Sequence, residues 1–233
     1  MSARIREELA RLDLRQPERV TLNDRVYSEL RRLIISGRLR PGQSISIRAL
    51  ANVINVSPMP VRSALQRLVT EGALDVQPNR AFALPVLTPE DFREIADVRA
   101  TVEGFAAERA VPNLGEEDVA FLREINRQMF EAGNAGQENY LELNRQFHFH
   151  IYNASKMPRL LRFIETLWLQ IGPLLNLVAA REDIPIGLQA HHAMVAAVAA
   201  KDAAAARAAV ERDILDAAKV IVAGLGRGDF ATR

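Results

Sequence analysis

Ser57-Pro58-Met59-Pro60-Val61-Arg62-Ser63-Ala64-Leu65-Gln66-Arg67-Leu68 is the stretch from which the rest of the chain can be read. Ser57 reads as a helix N-cap, and Pro58 takes the first helical position, where a missing amide proton costs nothing. Pro60 is still within the first turn. Val61, Ala64, Leu65, Leu68 and Val69 return every three or four residues and form a stripe to be buried, and Gly72 ends the helix. Upstream, Thr21 or Asn23 can cap a helix running to about residue 35, with Val26, Leu30, Leu33 and Ile34 on one face. Gly37 stops it, Pro41-Gly42 makes a turn, and a short helix over 47–54 carries Leu50, Val53 and Ile54. Downstream, 73–76 and 81–85 read as two short strands joined by Gln77-Pro78-Asn79-Arg80. Three helices and a hairpin of this size describe a winged helix-turn-helix.

From Thr88 the pattern changes to long helices. Thr88-Pro89-Glu90 is a capped start, and helices are expected at 89–110, 116–132, 138–155, 158–180, 186–200 and 202–224. Pro112, the 133–136 stretch, Met157-Pro158, Pro185 and Lys201-Asp202 punctuate them. The expected fold is mainly α: a winged helix-turn-helix over 20–87, then an all-helical six-helix bundle over 88–226. Residues 1–19 are an N-terminal extension and 227–233 a tail.

Composition narrows the function. The 233 residues are 48% hydrophobic and 25% charged, as in globular proteins, and no cysteine is present, so disulfides and thiolate zinc sites are excluded. No apolar run approaches the roughly 20 residues of a membrane span. The first fifteen residues lack the apolar core and small residues of a secretory signal, so a cytoplasmic location is expected. The net charge of +1 hides an asymmetry: residues 1–87 carry 14 Arg against 8 acids, a net of +6, and residues 88–233 a net of −5. A basic front module suits a polyanion.

In a helix-turn-helix the second helix of the motif enters the major groove with its N-terminal residues nearest the bases. Arg62 and Gln66 share the outward face one turn apart, and both side-chain types can make paired contacts with bases. Arg48 opens the preceding helix within reach of a phosphate or base. Ser57 and the helix N-terminus can hold a phosphate oxygen, and Arg80 sits at the hairpin tip. The residues alone also fit a solvated helix face, or a three-helix unit that binds protein.

The bundle carries polar residues on apolar stripes. Asn144 and His148 lie four residues apart among Tyr140, Leu143, Phe147, Ile151 and Tyr152. His192 falls in the stripe of Leu188, Val195 and Ala199, and Asp213 flanks Val210, Ile214, Ala217 and Ile221. The turn at Asp202 brings His192 and Asp213 to one height. Four buried polar groups need compensation, and a divalent ion supplies it: zinc, with nickel, manganese or iron as alternatives. His150 and His191 fall on other faces and are read as non-ligands. Arg99 lies inside the stripe of Phe92, Ile95, Val102 and Ala106. It pairs with Glu103 or binds the carboxylate of a small ligand.

Several spaced elements resemble the DNA-binding domain of GntR-family bacterial regulators. They are 34–42, Leu50-Ala51, the 56–68 stretch and Glu71-Gly72-Ala73-Leu74. The 97–103 stretch, the Asn144-x-x-Phe147-His148 motif and the terminal Ala-rich helix pair resemble the FCD domain of the FadR-type subfamily. The resemblance spans about 20–225. It implies DNA contacts by Arg48 and Arg62, with Ser57, Met59 and Gln66 as further candidates. It departs from the family at Pro58, where many members have Arg, and at Arg80-Ala81, where Arg-Gly is common. It also implies a metal held by Asp and three His beside a small organic acid; here Asn144 replaces the Asp and Asp213 the last His.

The resulting expectation is a non-enzymatic, ligand-responsive transcriptional regulator, with repression relieved by a carboxylated metabolite. A homodimer would read a pseudo-palindromic double-stranded operator. The rivals are a constitutive DNA-binding dimer with a purely structural bundle and a metal-dependent hydrolase. For the hydrolase neither a His-Glu-x-x-His helix nor a nucleophile elbow exists.

Overall fold

The computed structural model describes residues 21–36, 39–78, 81–134, 140–179 and 184–227, with the side chains at 133–134, 176–179 and 184–188 outside the description. Arg80, the 1–19 extension and all but the first residue of the tail lie outside the described residues, as does the side chain of Leu188.

The chain first builds α1 (Leu22–Ile35), β1 (Ser44–Ile45), α2 (Ile47–Val53), α3 (Pro58–Thr70), β2 (Asp75–Val76) and β3 (Phe82–Ala83). Of the two sequence candidates, Thr21 caps α1: its hydroxyl accepts from the Asp24 amide at 3.2 Å, and Asp24 returns the bond to the Thr21 amide at 3.1 Å. Ser46 caps α2 by a single bond, its hydroxyl accepting from the Ala49 amide at 3.3 Å. The hairpin strands are shorter than expected and gain a third partner. β3 pairs antiparallel with β2 and also with β1, Ser44 facing Ala83 and Ile45 facing Phe82. A two-residue strand carries no alternation, so β1 leaves no sequence signal.

Six longer helices follow: α4 (Pro89–Ala110), α5 (Glu116–Asn134), α6 (Tyr140–Asn153), α7 (Pro158–Ala179), α8 (Ile184–Ala199) and α9 (Ala203–Gly226), with a 3-10 turn at Val111–Asn113. Thr88 and Asp91 form the capping box of α4. α4 runs against α9 along a seam of small residues: Ala96, Ala100, Ala106 and Ala107 from one, Ala206, Ala209 and Ala218 from the other. At Gly104 the approach is so close that an added Cβ would stand 2.9 Å from Glu211 Cγ. Small side chains set the short interaxial distance. None of the described helices is long and apolar enough to cross a membrane.

Two apolar cores result, and α7 belongs to both. The front core gathers Val26, Leu30, Ile34, Val61, Leu65, Leu68, Leu74 and Phe82, and Leu169 of α7 completes it. The next residue back, Trp168, is buried in the bundle core with Phe92, Phe147 and Tyr152. α7 is fixed there by three further contacts. Gly172 lies so near α1 that a Cβ would meet Ile34 O and Ile35 Cα at 2.8 Å. Gln170 Nε2 donates to the Glu71 carbonyl at the end of α3 (3.3 Å), and Arg31 pairs with Glu165 at 3.0 Å.

Candidate functional site

The candidate reading helix is α3. Val61, Ala64, Leu65 and Leu68 are buried, so one turn of geometry turns Arg62, Ser63 and Gln66 outward, where all three are exposed. Met59, in the first turn of α3, is 71% exposed. Ser57 caps the backbone without a side-chain hydrogen bond, which leaves its hydroxyl free beside the first-turn amides. Arg48 is exposed on α2. Neither Arg48 nor Arg62 is held by an ion pair among the described residues. Arg67, also outward, differs: its guanidinium bonds Glu71 at 3.2 Å and lies 3.7 Å above the Tyr27 ring. Tyr27 in turn donates its hydroxyl to Glu71 (2.6 Å), and burial together with that carboxylate pushes the phenol up to about 12. This trio braces α3 against α1 and engages Arg67 internally.

In the bundle, His148, His191 and Asp213 bring one ligand atom each to within 4.8 Å of the others. Nε2 of His148 stands 3.2 Å from Nε2 of His191 and 3.3 Å from Asp213 Oδ2, and the His191 nitrogen is 3.9 Å from Asp213 Oδ1. This corrects the expected ligand set. The histidine of α8 that faces the cluster is His191, buried beneath a Phe147 ring stacked at 4.4 Å, whereas His192 is exposed. α8 is so rich in alanine that its apolar stripe has no unique phase, and a stripe drawn through Val195 and Ala199 is rotated by one residue. The buried face is Ala190, His191, Met194, Val195, Ala197 and Val198. One signal could have found it: the turn at Asp202 lies eleven residues after His191 and eleven before Asp213. Asn144, one turn before His148, is half-buried. His150 lies away from the cluster and bonds Asp118 at 2.7 Å.

Electrostatics favour a cation at this point. Burial raises the Asp213 carboxyl, but the His148 hydrogen bond and the positive groups around it outweigh that and hold it below its ordinary value. Burial presses the His191 imidazole down to about 4, so its neutral, ligating form prevails. Tyr152, fully buried, sets its hydroxyl 3.0 Å from His148 Nδ1, which turns Nε2 toward the cluster. A tetrahedral ion about 2.0–2.1 Å from each nitrogen holds ligand atoms roughly 3.3 Å apart. The spacing and the two-imidazole, one-carboxylate donor set therefore fit a borderline divalent ion.

Arg99 takes the internal alternative. Its Nε donates to Glu103 Oε1 at 2.7 Å within the core, and the Trp168 indole donates to Glu103 Oε2 at 3.0 Å. The Arg99 guanidinium lies 5.2 Å from the Trp168 ring centre. The pair is thus welded to α7, the helix whose next residues grip the reading head.

The comparisons with known proteins bear on both modules. Residues 22–84 match the model of the bacterial regulatory proteins of the gntR family, and residues 94–216 match the FCD domain. The HTH-type transcriptional regulator McbR of Escherichia coli (strain K12) is 36% identical over 188 residues, 78% of this chain and 85% of that protein. The solved structure of E. coli McbR/YncC superposes with a TM-score of 0.79 at 31% identity, covering 91% of this chain and 100% of that one. A transcriptional regulator GntR from Rhodococcus sp. RHA1, 24% identical with a TM-score of 0.72 over 91% of this chain and 99% of its own, shares the fold. These relatives are regulators rather than enzymes. The chain belongs to the GntR family of bacterial transcriptional regulators, with a winged helix-turn-helix that binds DNA and a C-terminal FCD domain.

Proposed function

We propose that this regulator is a cytoplasmic repressor whose grip on DNA is set by what occupies the bundle. Arg62 and Gln66 read base edges. Arg48, Ser57 and Met59 contact the backbone or flanking bases, with Arg80 at the wing. A homodimer presents two such heads to a pseudo-palindromic operator. His148, His191 and Asp213, with Asn144 beside them, would hold a divalent ion, zinc before nickel, manganese or iron. The ion would supply fixed positive charge.

The observation that carries this reading is the charge balance around the cluster. Glu103 pairs with Arg99, and Asp213 feels the charge of the same guanidinium, so two carboxylates share one cation and leave one excess negative charge when the imidazoles are neutral, as ligation requires. A divalent ion turns that into one excess positive charge, suited to a small carboxylate. Acid and metal should therefore bind together. Arg99 serves the acid through this field and through its hold on Glu103 and Trp168. Any shift of that pair moves α7, and Leu169, Gln170 and Gly172 pass the motion to α1 and α3.

The test is operator affinity, using DNA fragments selected from a random pool by the protein itself. Coupling between two sites is typically about 5–150-fold in affinity. Titrating small carboxylic acids in the presence of Zn2+ should weaken DNA binding within that range for at least one acid. Identical affinity with every acid, with and without Zn2+, would establish the constitutive alternative.

A further inference from the structure

Among the described residues, two neutral polar atoms of the bundle are buried without a partner: Nδ1 of His191 and Oδ1 of Asn126. Their chemistry becomes complementary under the metal reading above, on which this inference rests. A neutral imidazole that ligates through Nε2 carries its proton on Nδ1 and needs an acceptor there, and an amide oxygen is an acceptor only. The fold brings the two residues to one region. Asn126 lines the same α5–α8 groove as His192 and Val195, next to His191 in sequence. The Asp118–His150 bond and the Phe121–His150 ring contact pin α5 along α6, and α6 supplies the Phe147 ring stacked on His191. His148 already has such an outer partner in Tyr152; His191 has none among the described residues.

We infer that Asn126 is the positioning residue of His191. Its amide oxygen accepts the Nδ1 proton, directly after a side-chain rotation or through one bridging water, and so commits Nε2 to the cluster. A buried amide with no such role would behave in the opposite way on mutation. Replacing an unpartnered buried oxygen by a methyl group of similar volume relieves a cost rather than adding one.

Asn126→Leu separates the two cases in the full-length protein. Zn2+ affinity, measured by competition with a chelator, should fall 10–100-fold, while the Tm of the metal-free protein holds or rises. Asn126→Asp, which keeps the acceptor, should restore affinity to the wild-type value or tighter. Ring 15N shifts of His191 in the Zn2+-loaded wild type should show a protonated Nδ1, and in Asn126→Leu a loss of that single tautomer. Should Asn126→Leu not fold, Asn126→Ala removes the same oxygen. Undiminished Zn2+ affinity in the acceptor-less variant would overturn the inference and leave the cluster intact. A wild type that takes up no Zn2+ would fell the cluster reading as well.

Discussion

The reading head and the bundle handle polar groups in opposite ways. In the head, the hydrocarbon core is closed and the cations lie at its surface: Arg31, Arg32 and Arg67 are engaged by carboxylates, while Arg48 and Arg62 have no ion pair among the described residues. In the bundle, Arg99, Glu103, Asn126, His148 and His191 are all buried. An exposed guanidinium costs the fold nothing and waits for a phosphate or a base. A buried imidazole or carboxylate must find a partner inside or shift its protonation. Under the proposed function, the contrast sets recognition of a macromolecule at the surface against recognition of something small in the interior. α7 is where the two meet, giving Trp168 to one core and Leu169 to the other.

The strongest way to break that division is at Leu169. Leu169→Ala should destabilise the protein by about 2–5 kcal/mol in denaturant titrations, because it empties a site in a closed core. Amide exchange should then quicken in α1 and α3, although the residue belongs to a bundle helix; exchange quickened only around the bundle would separate the modules again. Next in size is metal removal. Zn2+ at 100 times its Kd should raise the unfolding free energy by about 2.7 kcal/mol in the wild type and scarcely at all in His148→Ala or His191→Ala. His192→Ala should keep the whole effect, and its losing the effect would return that histidine to the ligand set.

The surface side of the comparison is sharpened by Arg62→Ala. Operator binding should weaken by about 1–3 kcal/mol with relaxed base preference, and thermal stability should be unchanged. Equal affinity in gel shifts would remove Arg62 from the contacts. The smallest effect is acid sensitivity of the metal-free protein. His191 is held near 4 when folded and returns to its ordinary 6.5 when unfolded, so the unfolded chain binds the proton first as pH falls. Stability is full above about 6.5 and declines toward 4, with about 1 kcal/mol lost by pH 5.5. His191→Leu should flatten that slope.

Most of the fold could be read because its punctuation is chemical. Thr88-Pro89, Met157-Pro158 and Asp202 mark helix starts that the structure keeps, and the stripe of α3 is unambiguous because polar residues alternate with it. Where that contrast is missing, reading fails. α8 is nearly all alanine and apolar residues, so its phase, and with it the choice between His191 and His192, could only come from packing. The run Leu167-Trp168-Leu169 in α7 is apolar on every side, so nothing in it tells that neighbouring residues enter different cores. Arg99 was legible as a buried cation, but its partner was one of two until Trp168 arrived from 65 residues away to complete Glu103.

The central claim is that the state of the buried cluster is felt at the reading helix through α7. Hydrogen–deuterium exchange on the full-length protein, with and without Zn2+, tests it without any operator. The claim predicts altered protection at residues 28–35 of α1 and 67–73 at the end of α3, together with α7. Altered protection confined to α6, α8 and α9, with the head unmoved, would contradict it.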